Sequence, residues 1–114
     1  NPFVSIAPIL AVNGLKSALL ARNVPRIVVS PIVSGMAIKG PAAKMMQELK
    51  IPVTVLEIAK YYQDFATVLV IDRQDSALRH DIEQLGMKVL VTNTVMHSLQ
   101  DKEQLAADIL ASIK

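Results

Sequence analysis

The chain has 114 residues, 52% of them hydrophobic, with a mean hydropathy of +0.39 and no cysteine. That is enough for one apolar core but too little for two, and it excludes a disulfide framework or thiolate metal site, leaving a cytoplasmic location as the expectation. Net charge is +2, yet residues 1–50 carry +5 and residues 51–114 carry −3, so an anionic partner is expected at the first half. No contiguous basic stripe or interleaved aromatics argue for nucleic acid, and the longest uncharged run, residues 1–15, contains two prolines and is too short to span a membrane.

In chain order, Ser5 is read as the N-cap of a short helix Ile6–Val12, broken by Asn13-Gly14. A second short helix covers Leu15–Arg22, and Arg26–Ser30 reads as a strand buried on both faces that Pro31 must end. Gly40-Pro41 starts a helix Pro41–Leu49, because proline at the first helical position has its φ preset. Thr54 and Glu57 match a capping box, with Val53 and Ile58 as its staple, so a helix is expected over Val55–Tyr62. A strand Phe65–Asp72 follows, then a helix capped by Asp75 or Ser76 with Leu78, Ile82 and Leu85 on one face and Gly86 at its end. Lys88–Val91 is the third strand, and Asp101 is read as the cap of a helix Lys102–Ile113 with Leu105, Ile109, Leu110 and Ile113 inward.

Strands alternating with helices imply an α/β fold: a Rossmann-like parallel sheet with helices on both faces, in one domain over residues 1–114. Three short strands make a thin sheet, and the opening Asn1-Pro2-Phe3 reads as a loop that follows a strand. Both suggest an incomplete fold, the C-terminal part of something larger. Such a remnant is expected to form a homo-oligomer through its exposed apolar surface.

Ligands of open parallel sheets collect beyond the carboxyl ends of the strands. Three segments stand there: Ser30–Lys44, Asp72–Asp75 and Thr92–His97. In the first, the amides of Ala42 and Ala43 at a helix start, flanked by Lys39 and Lys44, describe a rim for a phosphorylated ligand; a strand-to-helix loop with two solvated lysines describes the same residues. Asn1, Pro2 and Ser5 repeat the device of a polar loop feeding a helix start. Asp72 and the Thr92-Asn93-Thr94 run are read chiefly as turns, His80 and His97 as surface residues, and no histidine or carboxylate spacing makes a metal triad.

The stretch SPIVSGMAIKGPAAKMM (30–46), with NPFVSIAPIL (1–10), VIDRQD (70–75) and LVTNTVM (90–96), resembles the 2-phospho-L-lactate transferase family of coenzyme F-420 biosynthesis from end to end. Family members are roughly three times longer, so the resemblance implies the C-terminal third. It implies transfer of a phospholactyl or phosphoenolpyruvyl group from a guanosine diphosphate-linked donor to the deazaflavin Fo, with GMP leaving. Magnesium would assist, bound by aspartates outside this chain. Carried onto this sequence, the substrate-binding residues are Asn1, Pro2, Ser5, Ser30, Ser34, Gly35, Lys39, Gly40, Ala42 and Lys44, with no catalytic residue assigned. Ser34 stands where the family commonly has glycine, Met36 where it often has lysine, and Asn93 where many members carry aspartate. The rival readings are a nucleotide-sugar-binding regulator of related fold and a non-catalytic packing segment.

Overall fold

The computed structural model describes residues 1–37 and 40–113. The chain opens with a π-helical turn, Pro2–Ile6, that runs into a helix α1, Ala7–Leu10. Its cap is Asn1, whose Oδ1 accepts the N–H groups of Phe3 and Val4 at 2.8 and 3.2 Å. The cap therefore lies four residues before the one expected at Ser5, which is exposed inside the turn and donates its N–H to the Asn1 carbonyl. An asparagine followed by proline is itself a strong start signal, since proline has no N–H to satisfy.

After α2, Leu15–Leu20, comes the strand β1, Ile27–Val29. Arg26 fixes its entry: Nε donates to the Phe65 carbonyl at 2.6 Å, the guanidinium stands 5.6 Å from the Phe65 ring centre, and the main-chain N–H donates to Thr67 Oγ1. β1 pairs in parallel with β4, Val68–Asp72, which pairs in parallel with β5, Lys88–Thr92, giving a sheet in the order β1-β4-β5.

Of the three strands in this sheet, β4 alone is buried along its whole length. The expectation that β1 is buried on both faces fails, because β1 is an edge and Val29 is 38% exposed. Hydropathy cannot distinguish an edge from a centre; the pairing decides it.

Alternation along β4 divides the two layers. Leu69 and Ile71 point into the main core with Ile82 and with Val55, Ile58, Ala59 and Tyr62 of α4, Val55–Tyr62. Each fully buried Ile or Leu contributes about 1.5–3 kcal/mol there. Val68 and Val70 point to the other face, as does Thr92, whose Oγ1 donates to Asp108 Oδ2 at 2.6 Å and so places the last helix, α6 (Leu99–Ser112), on that side. Helices thus cover both faces of the sheet, as expected.

The two strand-to-helix passages expected to be plain loops contain more. Past Ser30 the chain makes a hairpin, β2 (Ile32–Val33) with β3 (Met36–Ala37), before α3, Ala42–Glu48. Past β4 it makes a 3-10 helix, Arg73–Leu78, that passes into α5, Arg79–Glu83. Asp72, not Asp75 or Ser76, caps that segment, accepting the Gln74 N–H at 3.0 Å.

The cap of α4 is Thr54, whose Oγ1 accepts the Glu57 N–H, and Gly86 ends the α5 segment at φ +92°, both as expected. α6 begins earlier than expected, with Ser98 as the cap for the Asp101 N–H while Asp101 itself accepts from His97. Of its four apolar residues expected inward, Leu105 is buried and Ile109 half-buried, but Leu110 and Ile113 are exposed.

Candidate functional site at the strand carboxyl ends

The carboxyl ends of β1, β4 and β5 lead into the three segments that the sequence singled out, and the structure ties them to one another. Asp72, last residue of β4, is buried. Its Oδ1 accepts from Gln74, and its Oδ2 accepts the N–H and hydroxyl of Thr94 at 2.9 and 3.3 Å. Burial pushes the Asp72 carboxyl up, but these donors together outweigh it and hold it below its ordinary value. Three residues on, the buried Asp75 reaches the hairpin that follows β1, where its Oδ2 accepts the Ser34 N–H at 2.9 Å. The DRQD turn is therefore bonded to the loops on either side of it.

Ser34 and Gly35 form the tip of the hairpin with φ of +52° and +79°, the pair of left-handed residues that a two-residue hairpin turn requires. A Cβ on Gly35 would stand 3.6 Å from the Val53 carbonyl, so the tip lies close to the entry of α4. Ser34 takes the left-handed conformation at a cost that glycine would not bear.

The other candidates fare differently. Ser30 is 2% exposed and its hydroxyl both accepts the Ile32 N–H and donates to the Ile32 carbonyl, so that side chain holds the turn after β1 instead of facing a ligand. Asn1 and Pro2 lie against this end of β1: with Ile6, Ile27–Val29, Pro31, Tyr62 and Phe65 they line a cavity of about 320 Å³. Asn1 also reaches α3, its Nδ2 donating to Met45 Sδ at 3.5 Å. Ser5 is exposed on the outer turn.

Gly40 has φ +73° and nothing within 4 Å of an added Cβ, while Ala42 turns its side chain into the core. Lys44 projects from α3 beside Glu48, 3.9 Å away, with both side chains largely exposed. Lys39 lies outside the described residues. Among the described residues no group of three or more His, Cys, Asp or Glu side chains is placed to hold a metal ion, and no helix is long and apolar enough to cross a membrane.

The residue that sequence reasoning underrated is Asp75, read there as a helix cap. Its signal was present: a second acid at the end of an apolar strand, beyond what one cap needs. Only the fold supplies Ser34 as the partner, 41 positions away.

Residues 1–110 match the family described as 2-phospho-L-lactate transferase CofD. The chain belongs to that family. Among its relatives, the 2-phospho-L-lactate transferase of Methanocaldococcus jannaschii is 44% identical over 110 residues, 96% of this chain and 34% of that protein. The enzyme of the same name from Methanothermobacter thermautotrophicus is 39% identical over 113 residues, covering 99% of this chain and 36% of its own length. That of Methanosarcina barkeri is 36% identical over 106 residues, 93% and 34% respectively. The chain spans about a third of the length of the curated transferases it matches. Within the CofD family it supplies a parallel three-stranded unit with its strand-end loops bonded together.

Proposed function

We propose that the protein to which this chain contributes transfers a phospholactyl or phosphoenolpyruvyl group from a guanosine diphosphate-linked donor to the deazaflavin Fo, releasing GMP, in cytoplasmic coenzyme F-420 biosynthesis. The observation that carries this reading is the family match across residues 1–110, which includes every strand-end loop. The charge distribution supports it, since the half of the chain that holds the Ser30–Lys44 loop is basic and the ligand is polyanionic.

In this reading the loop from Ser30 to Lys44 forms one wall of the donor site. The backbone of the hairpin and the start of α3 shape it, and Lys39 and Lys44 add positive charge where phosphate charge must be held. Because Lys44 meets Glu48 only at 3.9 Å on an exposed surface, that pairing is weak and leaves the ammonium to a phosphate. Asn1 and Pro2 stand on the neighbouring side, next to α3 and the end of β1.

Magnesium, which the resemblance implies, does not fit the described carboxylates of this site. Asp72 accepts N–H or hydroxyl donors on both oxygens and Asp75 uses its Oδ2 for the Ser34 N–H, so the pair offers a cation little beyond Asp75 Oδ1, and no group of three or more such side chains gathers around it among the described residues. Its ligands belong, on this reading, to residues outside this chain.

The test uses the full-length protein with Fo, magnesium and each of the two guanosine diphosphate-linked donors, following coupled deazaflavin by mass. Product with either donor, and a loss of donor binding in Lys44→Ala that is larger at low salt than at high salt, is the expected result. Binding of a uridine diphosphate sugar without coupling would replace this reading with that of a regulator. The 114-residue chain alone should give no product.

A further inference from the structure

We propose that Asp75 is a positioning residue for the donor site: through its bond to the Ser34 N–H it holds the β2–β3 hairpin against the end of the central strand. The proposal rests on the reading of the Ser30–Lys44 loop as a wall of that site. Four observations lead to it.

The Ser34 N–H to Asp75 Oδ2 bond, 2.9 Å long, is part-buried and joins residues 41 positions apart, so it is a tertiary contact and not a local turn. Ser34 is held at φ +52°, which an L-residue other than glycine adopts only when its surroundings over-determine it. The hairpin has only two residues in each strand, too few to stand alone, and its tip meets the rest of the protein at the Val53 carbonyl and at Asp75. Finally, Asp75 sits in the same turn as Asp72, whose bonds to Gln74 and Thr94 make that turn rigid. A buried carboxylate on a rigid turn is thus bonded to the one strained residue of a short hairpin.

The consequence is directional. Release of Ser34 lets the tip leave its left-handed conformation, and the chain that follows it toward Gly40 and α3 loses its fixed starting point. The wall of the site then exists only in a fraction of molecules, which weakens donor binding by that fraction without altering the reacting groups. The effect belongs in donor KM and not in kcat.

The experiment compares Asp75→Ala, Asp75→Asn, Ser34→Gly and the Ser34→Gly/Asp75→Ala pair in the full-length protein, with Lys102→Ala on α6 as control. Two quantities are read: amide hydrogen exchange of residues 30–37, and steady-state kinetics with the guanosine diphosphate-linked donor. Asp75→Ala should speed exchange across the hairpin and raise donor KM about tenfold or more, with kcat within about threefold. Asp75→Asn keeps an oxygen where Ser34 donates and should recover most of the loss. Ser34→Gly, which takes φ +52° freely, should restore part of it in the Asp75→Ala background.

Unchanged exchange in Asp75→Ala overturns the latch. Faster exchange with an unchanged donor KM overturns its role at the site. A parent enzyme that does not use the donor refutes the transferase reading instead, and the exchange measurement still decides whether Asp75 holds the hairpin. Should Asp75→Ala fail to fold, the Ser34→Gly/Asp75→Ala pair, whose tip carries no left-handed strain, is compared with Ser34→Gly alone: equal exchange in these two would then refute the latch.

Discussion

Thr94 donates both its main-chain N–H and its hydroxyl to one oxygen of Asp72, at 2.9 and 3.3 Å, and so joins the end of β5 to the end of β4. Asp72 and Thr94 are both buried, which makes the pair a structural bond between loops and removes either side chain as a free donor or acceptor for substrate.

Asp72→Ala strands the Thr94 amide in a buried position and should cost about 2–5 kcal/mol of stability, read by urea unfolding at low protein concentration. The same group gives the fold an acid limit. Its folded-state value lies below the ordinary one, so its contribution is complete above the unfolded value of about 3.9 and disappears as pH falls through the folded value. Parent stability should therefore decline below about pH 4, and Asp72→Asn should flatten that part of the decline. An unchanged acid slope in Asp72→Asn would assign the decline to other carboxylates.

At the alkaline end the relevant group is Tyr62, whose phenol is pushed up to about 12, first by burial and second by the adjacent Tyr61. The two rings meet edge to face with centres 5.0 Å apart. A raised folded value means that the contribution persists below the unfolded value of about 10 and is lost as pH rises through the folded one. Ultraviolet titration should show a late tyrosinate step near pH 12 that vanishes in Tyr62→Phe. A late step that survives the substitution would show that Tyr62 is not its source.

Lys50 offers a stabilising substitution. It follows α3 at φ +58°, its N–H bonded to the Gln47 carbonyl and that of Ile51 to the Met46 carbonyl, the paired bonds of a helix end that normally carries glycine. Lys50→Gly removes about 1 kcal/mol or more of left-handed strain against a smaller entropic penalty. It should raise the thermal midpoint by about 1–4 °C. A lower midpoint would mean that the lysine side chain contributes more than its backbone strain costs.

The chain by itself should associate. β1 has no partner on its outer edge among the described residues, and Val29 is exposed there while Val4 and Ile9 stand out from the first helical segment and Val12 from the turn after it. Sedimentation velocity should show dimers or larger species, and Val29→Lys, which charges the edge, should shift them toward monomer. A parent chain that stays monomeric at high concentration would show that the exposed edge and apolar side chains do not drive association.

Local rules carried much of this protein. Thr54 capping α4, Gly86 ending the helical segment before β5, Pro31 closing β1 and the apolar run of β4 are all decided by residues within a few positions of one another. The order of strands and helices, and the family, follow from such runs and from motifs that lie contiguous in the chain.

The first cap was misplaced to Ser5 because two polar residues competed, and the Asn1-Pro2 pair satisfies more amides than Ser5 does. What only the tertiary structure decided is of another kind. That β1 is an edge, that Ser30 turns its hydroxyl inward, and that Asp75 bonds Ser34 across 41 positions depend on which loops the parallel sheet brings side by side. A hydrogen bond between strand-end loops has no periodicity to announce it. Its partners become neighbours only when β1 and β4 pair in register, Val29 beside Val70.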